Sequence, residues 1–329
     1  FYRQEREFER YGVHISRQDM ANWTIQCAER YLAIMYDYLH SKLYTFSVLQ
    51  ADETTVFVNK DGRPAGSKSY MWLYRTVESV QKGQILLYEY QKTRNSNHPR
   101  TFLKSFHGIC ITDGYQVYHT LEQEREDLQI AGCWAHVRRR YDEALKALPK
   151  EKRNQSTAHR GLVMIQAIYR NEKPLKELSA EERRERRQLS VKPLVEAYFT
   201  WVHATIGQVM PKSKLWEGLN YSINQERYLK VFLENGNVPI DNNASERSIR
   251  SFCIGRKNFV MIDTLHGAAA SAIIYSIAET AKANGLKPYE YFELLLTEIP
   301  KHLDDDDLNF CEKLLPWSKD LPEKCRKKQ

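Results

Sequence analysis

Residues 44–58 read YTFSVLQADETTVFV, and this stretch decides the class of the fold. It is rich in β-branched and aromatic residues, which favour a β-strand. One carboxylate, Asp52, stands inside the apolar run, with Leu49 before it and Val56 after it. An ionised carboxylate is unfavourable in apolar surroundings unless it is paired or binds a metal. The stretch therefore predicts a strand that carries a chemically useful acid.

Further strand patterns follow this first strand in the sequence. SYMWLYRTV at residues 69–77 and QILLYEYQ at residues 84–91 predict two more strands, which complete a three-strand meander. HPRTFLKSF at residues 98–106 predicts a short helix. GICITDGYQVY at residues 108–118 predicts a buried strand that ends in a turn at Asp113.

LQIAGCWAHV at residues 128–137 predicts a fifth strand, which leads into a helix from about Val137. Three strands, a helix, a strand, a helical segment and another strand form a mixed order that few architectures accommodate. The sequence therefore predicts an α/β fold with a mixed five-stranded sheet flanked by helices. Residues 44–142 would form the first part of this domain.

The segment before the first strand, residues 1–43, predicts helices. Apolar residues recur every four positions from Trp23 to Leu39. Before this pattern, Gly12 predicts a break, and Ser16 with Asp19 three residues later can cap the helix that follows. The segment is compatible with a helix-turn-helix and equally with an ordinary helical hairpin packed on the next domain.

The strand pattern disappears over residues 143–237, which predict a helical insertion. From Arg138 to Lys192 there are 16 Lys and Arg and 8 Asp and Glu residues, a local excess above the net charge of +7 of the whole chain. The densest run, EERRERRQ at residues 181–188, alternates Glu and Arg. The run alone favours a solvated helix with i,i+4 pairs over a basic face for phosphates.

The pattern becomes specific again over residues 238–297, the second part of the predicted domain. Asp241, Asn242 and Asn243 form a capping cluster for a helix over residues 244–251. A second helix ends at Gly285, and Pro288 starts a third. Residues 298–329 form a C-terminal tail.

Composition excludes several classes of protein. No stretch reaches the roughly 18 apolar residues of a membrane span, and no signal-peptide pattern opens the chain. The six cysteines are far apart, which fits free thiols in a reducing compartment better than a disulfide scaffold. The chain begins with Phe1 rather than Met, and we expect it to be a piece of a longer protein.

Three acids are candidates for chemistry. Asp52 lies in the first strand, Asp113 ends the fourth, and Glu246 lies on the first turn of the helix after Asp241. Carboxyl ends of strands are where α/β sheets usually build sites. Three carboxylates without His or Cys suit Mg²⁺ or Mn²⁺, and two such ions can cut a phosphodiester.

Each acid also has a structural explanation. Asp113 before Gly114 is compatible with plain turn chemistry, Glu246 with a pair to Arg250, and Asp52 with a satisfied buried acid. The case for catalysis therefore depends on all three together.

Basic residues near the acids suit a phosphate backbone. One group follows the fifth strand and the other surrounds Glu246; together they are Arg138, Arg139, Arg247, Arg250, Arg256 and Lys257. The last two follow Gly255 in an expected loop. Cys133 and His136 have metal-like spacing, but without a second Cys/His pair nearby we expect packing rather than a zinc site.

Together these motifs resemble the bacterial insertion-sequence transposases of the IS66 type. The segments run in the family's order: ADETTV, YMWLYRT, ITDGYQVY, AGCWAHVRRRYDEAL, DNNASERSIRSFCIGRKNFVM and GAAASAIIYSIAETAKANGLKPYEYF. The DNN-x-x-ER-x-IR…GRKN pattern is the most specific of them.

The resemblance implies a ribonuclease-H-like fold with a mostly helical insertion and a DDE triad. Position by position, the triad is Asp52, Asp113 and Glu246, which would hold two Mg²⁺ or Mn²⁺ ions. The implied activity is metal-dependent DNA strand cleavage, followed by attack of the released 3′-hydroxyl on target DNA. The implied partner is double-stranded DNA, bound by a homo-oligomer in the bacterial cytoplasm on the nucleoid, without a membrane.

The sequence departs from the family in two places. The family usually has an upstream helical and cysteine-rich region for recognising the element's ends, and these 329 residues do not include it. Asp263 and Thr264 stand where we expect the family to have a pair closer to Gly-Ser. This difference concerns the geometry of the loop at these two positions and not the triad. Two rival functions stay open, a non-catalytic DNA-binding relic or regulator and a structure-selective nuclease of the same fold. A glycoside hydrolase with paired acids is remote, because the basic residues suit a polyanion.

Overall fold

A computed structural model of the chain describes residues 1–64, 66–77 and 83–327. The chain forms two compact units. The first comprises Phe1–Phe46, Asp52–Phe106 and Ser245–Gln329, and the second comprises Ser47–Ala51 and His107–Ala244. The first strand of the sheet contributes residues to both units.

The first unit opens with three helices, as predicted: α1 (Tyr2–Arg10), α2 (Arg17–Cys27) and α3 (Ala33–Leu43). The predicted cap is present, because Ser16 Oγ accepts a hydrogen bond from the Asp19 backbone N–H at 3.1 Å. The predicted apolar face is only partly right. Met35 is fully buried but Trp23 is 53% exposed. A π-helical turn over Ala28–Leu32 changes the angular step between α2 and α3, so that their faces do not continue into one another.

The meander lies in the first unit as β1 (Val48–Lys60), β2 (Lys68–Thr76) and β3 (Leu86–Gln91). Strands β2 and β3 are antiparallel. The short helix α4 (Asn97–Phe102) follows. Alternate side chains of these strands form a buried core with residues from the C-terminal helices: Val56, Val58, Met71, Leu73, Leu86, Tyr88, Ile249, Phe252, Ala268 and Ala272.

The second unit begins with β4 (Gly108–Ile111), α5 (Gln116–Glu124) and β5 (Leu128–Ala131). Strand β4 is parallel to β5 and to the start of β1. The strand order is β3-β2-β1-β4-β5, which confirms the mixed five-stranded sheet with flanking helices.

Five helices then follow, in agreement with the predicted helical stretch: α6 (Trp134–Lys146), α7 (Thr157–Glu172), α8 (Ala180–Arg186), α9 (Lys192–Ile206) and α10 (Lys214–Glu234). The predicted start of α6 at about Val137 is wrong. The helix begins three residues earlier, because the Trp134 N–H donates to the Ile240 carbonyl while the preceding Cys133 is extended.

The C-terminal part of the first unit contains α11 (Asn243–Phe259), β6 (Ile262–Thr264), α12 (Leu265–Ala283), α13 (Pro288–Glu298) and α14 (Phe310–Leu314). Helix α11 extends eight residues past its predicted end. The sixth strand was not predicted; it runs parallel to the end of β1, with Ile262 opposite Val58. Thr264, where a loop was in doubt, caps α12 by accepting from the Gly267 N–H at 3.0 Å.

All six cysteines are free thiols, and four of them are buried, which confirms the prediction from their spacing. In the part of the chain that the structure describes, no helix is long and apolar enough to cross a bilayer.

Candidate active site and nucleic-acid interface

Asp52 begins a half-buried stretch in the middle of β1. The four residues before it in the strand are buried, whereas Asp52 and the three residues after it are half-buried. Its Oδ1 atom accepts a hydrogen bond from the Glu53 backbone N–H at 2.8 Å. Val56 and Val58 farther along the strand are buried again, so Asp52 lies inside the apolar run as predicted, at a half-buried stretch where a carboxylate is less costly to keep ionised.

Glu246 lies in the first turn of α11, as predicted, and is half-buried. Two contacts within the first unit attach α11 to β1 just past Asp52. Thr54 Oγ1 lies 3.5 Å from Cys253 Sγ, and Arg256 Nη1 donates to the Thr55 carbonyl and to Thr54 Oγ1. Glu246 precedes Cys253 by seven residues, nearly two helical turns, so both project from the same side of the helix. The structure thus places Glu246 on the side of α11 that meets the strand carrying Asp52.

Asp113 follows β4 in the second unit, and its turn chemistry is confirmed. Its Oδ1 atom accepts from the Tyr115 N–H at 2.9 Å, and its carbonyl accepts from the Tyr221 hydroxyl at 2.7 Å. Gly114 adopts φ +88°, a conformation that suits glycine. The turn holds the Asp113 backbone in a defined place, while metal binding by its carboxylate stays a prediction.

The Asp241-Asn242-Asn243 cluster connects the start of α11 to other parts of the second unit. Within the second unit, Asn242 Nδ2 donates to the Ala51 carbonyl at 2.8 Å, and the Asn242 N–H donates to Cys133 Sγ at 3.1 Å. Gln50 Nε2 donates to the Asp241 carbonyl at 3.2 Å. The bonds to Ala51 and from Gln50 join the segment before α11 to the buried first part of β1. Sequence reasoning missed all three bonds, because they link residues 109 or 191 positions apart.

The helical insertion also contacts this cluster. The Tyr169 hydroxyl of α7 donates to Asp241 Oδ2 at 3.1 Å. Burial and the nearby Asp241 charge raise the pKa of Tyr169 above its usual value, so Tyr169 stays a donor. Burial raises the pKa of Cys133 to about 12, so its thiol stays neutral and serves in packing, as expected. Nothing in the sequence pattern around Tyr169 indicates this role.

Metal ligation is not preassembled in the structure. Over residues 1–64, 66–77 and 83–327, no group of three or more His, Cys, Asp or Glu side chains is arranged to hold a metal ion. Asp52 and Glu246 belong to the first unit and Asp113 to the second. The ligand set of the three acids therefore stays a prediction.

The basic candidates on α6 are exposed to solvent. Arg138 is 51% exposed, with its Nε atom 4.0 Å from Asp142. Arg139 is also exposed, and its Nη1 atom lies 3.4 Å from His136 Nε2. Both side chains are thus on the solvent-exposed surface of α6.

The basic candidates on α11 separate into two sets. Arg247, Arg250 and Lys257 are exposed on one side of the helix. Arg256 instead turns toward β1, where its guanidinium bonds to Thr55. The expected loop around Arg256 and Lys257 is wrong, since both lie inside α11.

The arginines of the densest basic run, residues 181–188, bond mainly to groups of the second unit. Arg187 is fully buried and paired with Glu172, and it also donates to the Asn235 carbonyl at 2.9 Å. Arg183 donates to four backbone carbonyls, including that of Gly236 at 3.0 Å. Arg184 pairs with Glu181 at 2.5 Å. The run is therefore a structural element of the insertion rather than a face for phosphates, but the expected solvated helix with i,i+4 pairs is wrong, because Arg187 is buried and Arg183 is bonded to backbone carbonyls.

Two family profiles match consecutive parts of the chain. The profile described as the Transposase IS66 family matches residues 1–270, and that of the IS66 C-terminal element matches residues 276–317. Among curated relatives, two from Sinorhizobium fredii carry the titles uncharacterized protein y4qI and uncharacterized protein y4jD. They are 29% identical over 327 residues and 26% identical over 325 residues.

These alignments cover 96% of the chain but only 59% and 62% of the two relatives, so the chain spans about three fifths of their length. The family match extends over most of the 329 residues and includes both strands and the helix that carry the three acids. The chain belongs to the IS66 family of transposases.

Proposed function

We propose that this chain contains the catalytic domain of a DDE transposase with a ribonuclease-H-like sheet. It cuts DNA strands at the ends of an insertion sequence and joins the released 3′-hydroxyl groups to target DNA. Asp52, Asp113 and Glu246 are the proposed catalytic acids. The observation that carries the proposal is the attachment of α11 to β1, which brings the helix of Glu246 to the strand of Asp52.

The register of the second unit supports the third member of the triad. Gln50 of β1 is the parallel partner of Ile111 of β4. Asp52 lies two residues after Gln50, and Asp113 lies two residues after Ile111. Both acids thus follow paired positions by the same number of residues, at the carboxyl side of parallel strands, where α/β proteins build their sites.

The chemistry of the three side chains fits a hard divalent cation. All three are carboxylates, and Mg²⁺ and Mn²⁺ prefer oxygen ligands to nitrogen or sulfur. When bound, two such ions would activate the attacking oxygen and stabilise the leaving oxygen of a phosphodiester. The proposed role of Asp52, Asp113 and Glu246 is to hold them there.

The remaining residues of the site position the acids and the substrate. Asn242 and Gln50 fix the start of α11 to β1, and Arg256 fixes its later turns. The exposed cations Arg138, Arg139, Arg247, Arg250 and Lys257 would hold phosphates of transposon-end and target DNA. The proposed functional form is a homo-oligomer on DNA, acting in the bacterial cytoplasm on the nucleoid.

A strand-joining assay tests the proposal against its two rivals. The substrate is a duplex that carries the terminus of the encoding insertion sequence, offered intact or pre-cut with a free 3′-hydroxyl, together with a target plasmid and Mg²⁺. We expect cleavage of the intact duplex and joining of the pre-cut end to the plasmid. Binding without cleavage would indicate a relic or regulator, and cleavage without joining would indicate a structure-selective nuclease.

A further inference from the structure

The outer side of α11 and the turn after it expose apolar side chains to water. Ile254 is 63% exposed, Val260 is 62% exposed and Met261 is 52% exposed. Scattered single apolar residues are normal on a surface, but these three lie within eight residues of one another. The helical spacing from Arg250 through Ile254 to Lys257 places the apolar residue between two cations on one side of the helix.

The opposite side of α11 is fixed in the core, so the exposed side cannot turn inward. Ile249 and Phe252 are buried, and Phe252 packs against Tyr275 with ring centroids 5.2 Å apart. A Cβ atom at Gly255 would lie 2.0 Å from the Tyr275 hydroxyl oxygen, so this glycine allows close contact between α11 and α12. Because these contacts hold α11 in place, the Ile254 side chain stays on the solvent-facing side of the helix.

The turn after α11 holds Val260 in an unfavourable backbone conformation. Val260 has φ +60°, which is rare for a β-branched residue and suits glycine or asparagine at a helix end. Its N–H closes the helix by donating to the Arg256 carbonyl at 2.8 Å. The chain is then tied to β1 by the pairing of Ile262 with Val58. Val260 and Met261 thus form an anchored tip with both side chains outward.

The charged residues around Val260 and Met261 indicate which class of molecule binds this surface. In the described part of the chain, Arg247, Arg250 and Lys257 form no ion pair. The acid that follows the tip, Asp263, is already paired with Lys60 at 2.6 Å. Burying three such cations against an apolar protein surface is unfavourable, whereas a polyanion offers phosphates to the cations and base faces to the apolar residues.

We propose that Val260 and Met261 form an apolar wedge that enters duplex DNA and unstacks a base step, while Arg250 and Lys257 hold the flanking phosphates. This inference rests on the proposed DNA substrate and adds a distortion of the duplex that the triad does not supply. Proteins that insert apolar side chains between base steps kink the duplex, and neighbouring cations stabilise the bent backbone.

Fluorescence of 2-aminopurine, which rises when the base is unstacked, tests the wedge in the full chain. The adenine analogue is placed at successive positions of a duplex that carries the terminus of the encoding insertion sequence. Binding is measured in EDTA, so that no catalysis is needed. The test variant is Val260→Gly with Met261→Ser, and the matched control is Met210→Ser, which removes a 75% exposed methionine of the second unit.

With the parent chain and with Met210→Ser, we expect fluorescence to rise at one or two adjacent positions. With the double variant we expect at least half of that rise to be lost at saturating protein, with little change in the salt dependence of binding. The glycine relieves the backbone conformation, so the thermal midpoint of Val260→Gly should equal or exceed that of the parent. A destabilised double variant is replaced by Met261→Ser alone.

Three results would overturn the wedge. They are an equal rise in the parent and the double variant, no rise at any position for a bound parent, and failure of the parent to bind duplex DNA. A change of oligomeric state in the double variant, with unchanged fluorescence, would assign the tip to a protein interface instead. A parent that cuts DNA without unstacking it removes the wedge alone, and one that unstacks without cutting removes the proposed activity alone.

Discussion

The contacts of individual side chains decide what each charged residue of this protein can do. Arg256 and Lys257 are neighbours in a basic segment, yet the first bonds to Thr55 and the second points to solvent. Arg187 belongs to the most basic run of the chain and is fully buried. A basic residue in the sequence indicates binding to a polyanion only where its side chain is accessible to solvent. The structure is needed to tell an exposed cation from one that is bonded inside the protein.

Glu89 is a buried acid that should make stability depend on pH. Burial raises the pKa of Glu89 to about 7, although a hydrogen bond from Gln91 at 2.8 Å acts in the opposite direction. Between pH 4.5 and 7 the folded protein holds a proton that the unfolded chain releases. Stability therefore falls as pH rises through this window.

Replacing Glu89 with Gln removes this dependence. Relative to the parent, we expect Glu89→Gln to gain about 3 kcal/mol of unfolding free energy between pH 4.5 and pH 8. Urea unfolding at several pH values measures the difference, with exposed Glu126→Gln as the control. Parallel stability curves for parent and Glu89→Gln would contradict the assignment.

At the scale of elements, α11 shows how one helix combines packing and function. One side packs in the core, one side is bonded to β1, and one side presents cations. Because these sides are distinct, substitutions on each should give different results in DNA binding and in stability.

The cation side is tested by the salt dependence of duplex binding. Arg250→Ala with Lys257→Ala should lower the slope of log affinity against log salt by about two, because each lost phosphate contact removes about one. Arg256→Ala should leave the slope unchanged and lower the thermal midpoint, since its partners are on β1. The control is Lys313→Ala with Lys319→Ala, two exposed lysines near the C-terminus. A slope that falls with Arg256→Ala and not with the pair would reverse the assignment.

The helical insertion depends on a buried ion pair. Arg187 and Glu172 are both almost fully excluded from solvent. Arg187→Leu leaves the Glu172 carboxylate buried without its partner, so we expect a loss of about 3–5 kcal/mol of unfolding free energy. Arg184→Leu, which breaks the exposed pair with Glu181, should change the free energy of unfolding far less, because solvent screens an exposed pair. Equal effects of the two substitutions in urea unfolding would contradict this view of the basic run.

Much of the element order was predictable from the sequence, and the exceptions have physical reasons. Strands β1 to β5 and the helices around them were predicted from the spacing of apolar residues and from the residue types in each segment. Helix α11 was predicted too short because Gly255 looked like a break, whereas in the structure it is a point of close contact with Tyr275. Strand β6 has three residues, too few to show the alternation of apolar and polar side chains that identifies a strand.

The contacts that join distant parts of the chain were not predictable. Arg256 and Thr55 are 201 positions apart, and Asn242 and Ala51 are 191 apart. No local pattern indicates such partners. The acids themselves were selected from local features, since Asp52 stands inside an apolar strand pattern, Asp113 ends a buried strand and Glu246 lies on the first turn of the helix after Asp241.

At the scale of the whole molecule, the central claim is that three acids from separate regions act together on DNA. Asp52, Asp113 and Glu246 lie on β1, after β4 and on α11. The chain belongs to a transposase family, and the triad is our proposal for how it performs the chemistry. Each amide variant keeps the side-chain volume and removes a charged ligand, so folding and duplex binding in EDTA should persist.

The most direct test is the rate of Mg²⁺-dependent cleavage of a duplex with the element's terminus by Asp52→Asn, Asp113→Asn and Glu246→Gln. The account predicts that each loses at least ~100-fold in rate, since each removes one ligand of ions that stabilise the transition state by several kcal/mol. Asp304→Asn, an exposed acid of the C-terminal tail, should cut at the parent rate. Parental activity in any one of the three amide variants would contradict the claim for that residue.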